Sequence, residues 1–458
     1  MKKLTLDSDA VQTPTYAARA FSQAVPKFQI PEESLDAQAA YQLVHDELAL
    51  DGNPVLNLAS FVTTWMEPQA DQLSLETQPK NLIDQDEYPQ TDVIHRRVVS
   101  MIGALFHAPP DNEASGTATI GSSEAIMLAM LAHKRNWQHR RRAAGESTER
   151  PNMVMGADVH TCWEKFARYF EVEPRIVPME EGRYTVGGEQ VEPYVDERTI
   201  GVSGVLGTTF TGQMDDLRSI NDMLARVEQE RGLHIPLHVD AATGGFILPF
   251  SRPDEEWDFR LSHVRSINVS NHKFGLVYPG MGTLVFRDAG DLPEELVFHI
   301  NYLGGDMPNY SLNFSRASNT VVLQYFNFLR LGRAGYERIV ASALANAQAV
   351  GGELAQIDGL ELLNDGSLFP IVVMRASDPQ KTDLVTLSHL LRERGWIVPA
   401  YTLPANAEHI TVLRIVVKEN FSRDMGETLA DDMANAMRTL AVGGPPAHPR
   451  RPRRRPHC

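Results

Sequence analysis

The run Ser266-Ile267-Asn268-Val269-Ser270-Asn271-His272-Lys273-Phe274-Gly275 joins a short apolar, β-rich stretch to a lysine set between a histidine and a phenylalanine. A lysine so flanked is not placed for simple solvation. An amine partly withdrawn from water has a lowered pKa and is the better nucleophile. On this stretch alone, Lys273 reads equally well as an ordinary loop lysine, and the rest of the chain has to decide.

Working outward, short apolar β-rich runs alternate with helical stretches from about residue 59 to 345. The spacing predicts strands at 152–156, 200–206, 235–240, 266–269 and 282–287, and helices at 123–142, 215–232 and 320–331. That alternation is the pattern of an α/β fold, a mostly parallel sheet covered by helices. The run at 235–240 is apolar with a polar end, and ligands of open α/β sheets sit at that carboxyl edge. Residues 346–442 read as a smaller α+β unit, with a helix at 342–356, strand-like runs at 368–374 and 410–417, and a last helix near 425–440. Residues 1–58 read as an N-terminal arm. Within it, 33–50 carries Ala37, Ala40, Tyr41, Val44 and Leu48 at helical spacing, with Gly52 as a stop. The arm fits a partner subunit and its own core equally well. Residues 443–458 are rich in Gly, Pro and Arg and predict a flexible basic tail.

The chain has 458 residues, 43% hydrophobic and 22% charged, the make-up of a globular protein of two or three domains. It has no apolar run long enough for a membrane span. The polar start Met1-Lys2-Lys3-Leu4-Thr5-Leu6-Asp7 argues against a secretory signal. Cys162 and Cys458 are too few for a disulfide framework, and a cytoplasmic location fits. A net charge of −16 argues against nucleic-acid binding, the exception being Arg450, Arg451, Arg453, Arg454 and Arg455 in the tail. Without His-Glu-x-x-His or a cysteine pair at zinc spacing, no metal site is expected.

Three further motifs precede Lys273. Thr119-Ile120-Gly121-Ser122-Ser123-Glu124-Ala125 sets a glycine and two hydroxyls at a helix start, where N–H groups and the helix dipole favour an anion. Ser-Ser-Glu reads also as a plain N-cap. Val159-His160-Thr161-Cys162-Trp163 opens another helix, with His160 either structural or stacked on a flat ring. His238-Val239-Asp240-Ala241-Ala242-Thr243-Gly244-Gly245-Phe246 ends a strand on an acid, followed by small residues. Asp240 alone reads as a turn cap. In this order, however, phosphate loop, histidine, strand-end acid and lysine are what pyridoxal 5′-phosphate (PLP) requires of one sheet. Ser122, Ser123, Ser270 and His272 serve the phosphate, His160 stacks, Asp240 keeps the pyridine nitrogen protonated, Ala242 leaves room for the ring, and Lys273 forms the Schiff base.

The sequence resembles the glutamate decarboxylase family of PLP-dependent decarboxylases, most of all bacterial and plant forms, from about residue 25 to 440. The likeness rests on Ala59-Ser60-Phe61 with Trp65, Asp86-Glu87-Tyr88-Pro89-Gln90, the runs 119–125 and 240–246, and Cys162-Trp163-Glu164-Lys165-Phe166-Ala167-Arg168-Tyr169. It rests also on His272-Lys273-Phe274-Gly275, Asn301-Tyr302-Leu303-Gly304-Gly305 and Asn313-Phe314-Ser315-Arg316. The resemblance implies fold type I, with large and small domains, active sites at a homodimer interface, and hexamers in bacterial relatives. It places Thr209 near the cofactor's phenolic oxygen. Ser60, Phe61, Asn81 and Asp84 fall at the distal carboxylate of L-glutamate, Arg414 at its α-carboxylate, and Tyr302 on a mobile loop as a proton donor. In some bacterial relatives a histidine near the C-terminus closes the site at neutral pH, a part open to His457, although the arginine-rich tail reads more readily as disordered. The implied reaction gives 4-aminobutyrate and carbon dioxide and consumes a proton, which suits acid resistance. His160, where many of these enzymes carry glutamine, and Ser60, where close relatives carry threonine, leave aspartate or an aromatic amino acid as rival substrates. An aminotransferase or carbon–carbon lyase uses the same fold. A non-enzymatic scaffold would not need both Lys273 and Asp240.

Overall fold

The computed structural model describes residues 25–109, 113–301 and 307–443. Tyr302, His457 and the tail from 444 lie outside the described residues. Contacts divide the chain into a unit ending at Asn57 and a larger one beginning at Leu58. The first holds a helix, Ala37–Leu48, whose N-terminal amides are capped by Asp36: the Gln38 N–H donates to its carboxylate over 2.9 Å. The sequence spacing had placed this helix at 33–50, and Asp36 sets its actual start.

The second unit is built on a seven-stranded sheet in the order β1-β7-β6-β5-β4-β2-β3. The strands are β1 Gly116–Thr119, β2 Asn152–Gly156, β3 Glu173–Val177, β4 Thr199–Val205, β5 Leu237–Asp240, β6 Val264–Val269 and β7 Gly282–Phe286. Pairing is parallel from β3 through β2, β4 and β5 to β6, and β7 runs antiparallel to both its neighbours. β2 and β4 are buried along their whole length, because helices cover both faces. β1 and β3 were not legible in the sequence. β1 is four residues long, and β3, an edge strand, is mostly exposed.

Gly121–Ala143 packs on β7, β6 and β4. Leu217–Arg231 is capped by Asp216 and stopped by Gly232, whose φ of 66° favours glycine. Asn319–Leu354 is one helix with a break at Gly332, φ 56°. The division expected at 345 therefore falls inside a helix; the backbone leaves helical geometry at Gly332 instead. A second, antiparallel sheet has the order β10-β11-β13-β12, with β10 Leu360–Asp365, β11 Ile371–Ala376, β12 Ala400–Thr402 and β13 Thr411–Val416. β8 Phe298–Ile300 and β9 Met307–Asn309 make a ribbon. No helix among the described residues is long and apolar enough to cross a membrane.

Candidate active site

A cavity of about 300 Å³ opens where five loops leave the carboxyl ends of strands. Ile120, Gly121, Ser122 and Ser123 follow β1. Asp158 and His160 follow β2, and Val205, Gly207 and Thr209 come from the end of β4. Asp240, Ala242 and Thr243 come from β5, and Ser270, His272 and Lys273 from the loop after β6. Nine residues singled out from the sequence thus share one cavity: Ser122, Ser123, His160, Thr209, Asp240, Ala242, Ser270, His272 and Lys273. This is the crevice outside a parallel sheet where loop ends converge.

At one end stands the start of the helix Gly121–Ala143. Its N-cap, Ile120, offers no side-chain cap, so the serines are free of the capping role their sequence suggested. Instead Glu124 reaches back, accepting from the Ile120 N–H at 2.6 Å and, with its other oxygen, from the Leu312 N–H at 2.8 Å. The Ser122 and Ser270 hydroxyls lie 2.7 Å apart. Gly282 lets β7 pass close: a Cβ there would fall 2.6 Å from the Gly121 carbonyl carbon. His272 Nδ1 lies 2.6 Å from the Met281 carbonyl oxygen, which can only accept, so Nδ1 carries the proton. Burial first, then the Lys273 charge, lowers the His272 pKa to about 4. In its neutral form Nε2 is an acceptor. Donation to a phosphate therefore requires the imidazolium, which a bound dianion favours.

At the other end Asp240, 4% exposed, accepts from Trp163 Nε1 at 2.9 Å, Asn268 Nδ2 at 2.9 Å and the Ala242 N–H at 3.2 Å. Lys273 Nζ donates to Thr243 Oγ1 at 3.3 Å and sits 4.8 Å from the centre of the Phe61 ring. Burial of the amine lowers its pKa to about 8, against the opposing pull of Asp240. The loop is held behind it: Thr63 Oγ1 donates to the Lys273 carbonyl at 2.7 Å, and Asn327 Nδ2 to the Leu276 carbonyl at 2.7 Å. His160 Nδ1 accepts from the Cys162 N–H at 3.3 Å, capping the next helix, so its neutral ring carries the proton on Nε2. Burial holds the His160 pKa below its ordinary value and lifts the Cys162 thiol to about 12.

A match to the pyridoxal-dependent decarboxylase conserved domain spans residues 31–376. The chain belongs to the pyridoxal-dependent decarboxylase family. It is 49% identical to glutamate decarboxylase 5 of Arabidopsis thaliana over 436 residues, 95% of this chain and 88% of that one. It is 43% identical to the glutamate decarboxylase of Aliivibrio fischeri, over 93% and 92% of the two chains. The solved glutamate decarboxylase of Lactobacillus brevis superposes with a TM-score of 0.90 at 41% identity, covering 94% of this chain and 98% of that one. A sphingosine-1-phosphate lyase of Burkholderia pseudomallei, 20% identical, shares the fold with a TM-score of 0.78.

The decarboxylase cofactor fits the donor set. An uncapped helix start with paired hydroxyls suits a phosphate, the small Ala242 and Gly207 suit a flat ring, and a buried carboxylate and amine stand in the same cavity. The residues expected at the substrate are placed differently. Arg414, on β13, donates to the carbonyls of Thr209 at 2.5 Å and Ala59 at 2.6 Å, and its Nε is buried without a partner. The Arg414 guanidinium lies 4.7 Å from the Phe61 ring centre, so that one ring faces both cations. The Ser60 hydroxyl accepts from the Val62 N–H at 3.2 Å. Asn81 Nδ2 donates to Asp84 at 3.1 Å, and Asn81 Oδ1 accepts from the Arg316 N–H at 3.0 Å. None of Ser60, Phe61, Asn81, Asp84 and Arg414 lines the cavity. The sequence reading overlooked Trp163, Thr243 and Asn268. Asn268 had a signal: Ser266 and Asn268 are polar at alternate positions of β6, flanking Ile267, and so share one face.

Proposed function

We propose that this protein converts L-glutamate to 4-aminobutyrate and carbon dioxide with PLP, consuming one proton per turnover. The observation that carries the reading is the Lys273 amine and the Asp240 carboxylate facing one cavity with the helix start at Gly121. The glutamate decarboxylases among the relatives, at 41–49% identity, support the choice of substrate.

Bound PLP supplies an electron sink for the pair left at Cα when the carboxylate departs. Lys273 supplies the anchoring amine; a pKa near 8 leaves a usable free-base fraction at neutral pH. Asp240 holds a proton on the pyridine nitrogen, its lone pairs already oriented by three donors. Ser122, Ser123, Ser270 and His272 hold the phosphate, Thr209 the phenolic oxygen, and His160 covers the ring. Arg414 holds the α-carboxylate, toward which its buried guanidinium, now held by the Thr209 and Ala59 carbonyls, must turn an N–H. The Phe61 ring packs against both Arg414 and Lys273. Lys273 Nζ, or the Tyr302 hydroxyl, returns the proton to Cα.

Ser60, Phe61, Asn81 and Asp84 receive the distal carboxylate. Asp84 beside that carboxylate requires a proton on one of the two, or a water between them, which favours turnover in mild acid. The dimer-interface site that the family resemblance implies assigns Asn81 and Asp84 to a second copy. A homodimer is the minimal unit of this reading, and a hexamer would repeat it. Carbon dioxide release from glutamate, aspartate and aromatic amino acids, across mildly acidic to neutral pH, tests the proposal. Release from glutamate with stoichiometric 4-aminobutyrate is the expected result. A 2-oxo acid product would mean transamination, and a preference for another amino acid would move the substrate assignment.

A further inference from the structure

Behind Asp240 a row of side chains runs away from the cavity into the sheet. Asn268 Nδ2 donates to Asp240 Oδ1 at 2.9 Å; Asn268 Oδ1 lies 2.7 Å from His238 Nε2; His238 Nδ1 lies 2.6 Å from Ser266 Oγ; and Ser266 Oγ lies 2.7 Å from His133 Nε2. Strand register builds it. Asp240 pairs with Asn268, and His238 with Ser266, across β5 and β6. His133 comes from the helix whose first turn stands at the phosphate end of the cavity. Asn268, His238 and Ser266 are 0% exposed and His133 is 2% exposed, so water cannot substitute for any member.

The direction of this row follows from its end. Trp163 Nε1 and the Ala242 N–H can only donate, so Asp240 meets them as an acceptor. With Asn268 donating from Nδ2, its Oδ1 must accept, and His238 must carry its proton on Nε2. His238 Nδ1 then accepts from the Ser266 hydroxyl, whose oxygen accepts from His133 Nε2. Turning any one member round sets donor against donor or acceptor against acceptor in a sheet closed to water. With both histidines neutral, only wholesale reversal avoids that, and it requires a proton on Asp240 and a flipped Asn268; an imidazolium at His238 would also fit the row, but burial opposes it and lowers the His238 pKa to about 4.

We propose that His133, Ser266, His238 and Asn268 act together as positioning residues. They lock Asp240 as an oriented carboxylate by presenting neutral donors, so that its whole charge is left for the cofactor nitrogen. A cation at His238 would instead spend that charge inside the sheet. The inference rests on the placement of the pyridine nitrogen at Asp240 given above.

Neutron diffraction from the PLP-loaded, deuterium-exchanged enzyme tests it. The expected map has deuterium on Nε2 and none on Nδ1 of both His133 and His238. Deuterium on His238 Nδ1, alone or with Nε2, overturns the proposal. A pyridine nitrogen found away from Asp240 refutes the cofactor placement instead. In solution, Ser266→Ala breaks the row two hydrogen bonds beyond Asn268. Ser203→Ala is its control: Ser203 is the β4 neighbour of His238, buried, with an unpartnered hydroxyl. Ser266→Ala should lower kcat about tenfold with KM within about twofold, and should shift the visible absorption of the bound cofactor. Ser203→Ala should do neither. Equal behaviour of the two variants in both readouts overturns the proposal; if Ser266→Ala fails to fold, the neutron map decides.

Discussion

Asp240 and Arg414 are both buried charges, 4% and 7% exposed, yet their surroundings differ in kind. Asp240 sits among three fixed donors, one on a helix, one on a strand and one in the turn after its own strand. Arg414 spends two N–H groups on the carbonyls of Thr209 and Ala59 and keeps Nε unpartnered beneath the Phe61 and Tyr401 rings. The first site is finished before any ligand arrives; the second holds a guanidinium with one buried N–H unmatched. A cofactor that stays bound calls for the first kind of wall. A substrate that arrives and leaves at each turnover calls for the second, because an unmade buried hydrogen bond is an incentive to bind.

Lys273 stands between the two regions, over the ring that also faces Arg414 and within the field of Asp240. Lys273→Ala should break both at once. Turnover should fall about a thousandfold or more, and borohydride should no longer fix the cofactor to the chain. Steady turnover with a trappable bond elsewhere would remove Lys273 from its role. Arg414→Ala should damage the open region alone. Loss of a charged hydrogen bond lowers kcat/KM for glutamate by about ten- to a hundredfold, while the cofactor's absorption stays as in the wild type. An unchanged kcat/KM would place the α-carboxylate elsewhere.

Ser122→Ala tests the finished region more gently. Its hydroxyl meets Ser270 at 2.7 Å. Removing it should weaken PLP retention about fivefold, the worth of one ordinary hydrogen bond, in a titration of the apoenzyme. A further effect concerns stability alone and His272, neutral in the fold with a pKa near 4 against an ordinary 6.5. Below the ordinary value the unfolded chain binds a proton that the folded one refuses, so stability is lost as pH falls toward 4. In the apoenzyme, the stability difference should move in favour of His272→Gln by at most about 1.4 kcal/mol per pH unit across that window. Bound phosphate raises the His272 pKa and should shrink the shift. Parallel melting-temperature curves for the two apoenzymes would refute the buried neutral state.

How much of this was legible beforehand divides along the same line. The apolar runs at 152–156, 200–206 and 266–269 coincide closely with β2, β4 and β6, because strands covered on both faces read as unbroken apolar stretches. The motifs at strand ends could be ordered along the chain because the loops of a parallel sheet all emerge at one edge. β1 and β3 were hidden: a four-residue strand and an exposed edge strand carry little periodic signal, whereas the helix expected at 320–331 ends beside the break at Gly332.

From the sequence alone came the α/β class, the cofactor and the residues proposed to hold it, since each of these is local to a strand end or a helix start. Only the tertiary structure could decide what stands behind Asp240 and before Arg414. The row from His133 to Asp240 joins residues more than a hundred positions apart through the pairing of β5 with β6. The setting of the Arg414 guanidinium depends on carbonyls from residues 59 and 209. Both are properties of register and packing across the sheet, which hydrophobic patterning along a chain does not encode.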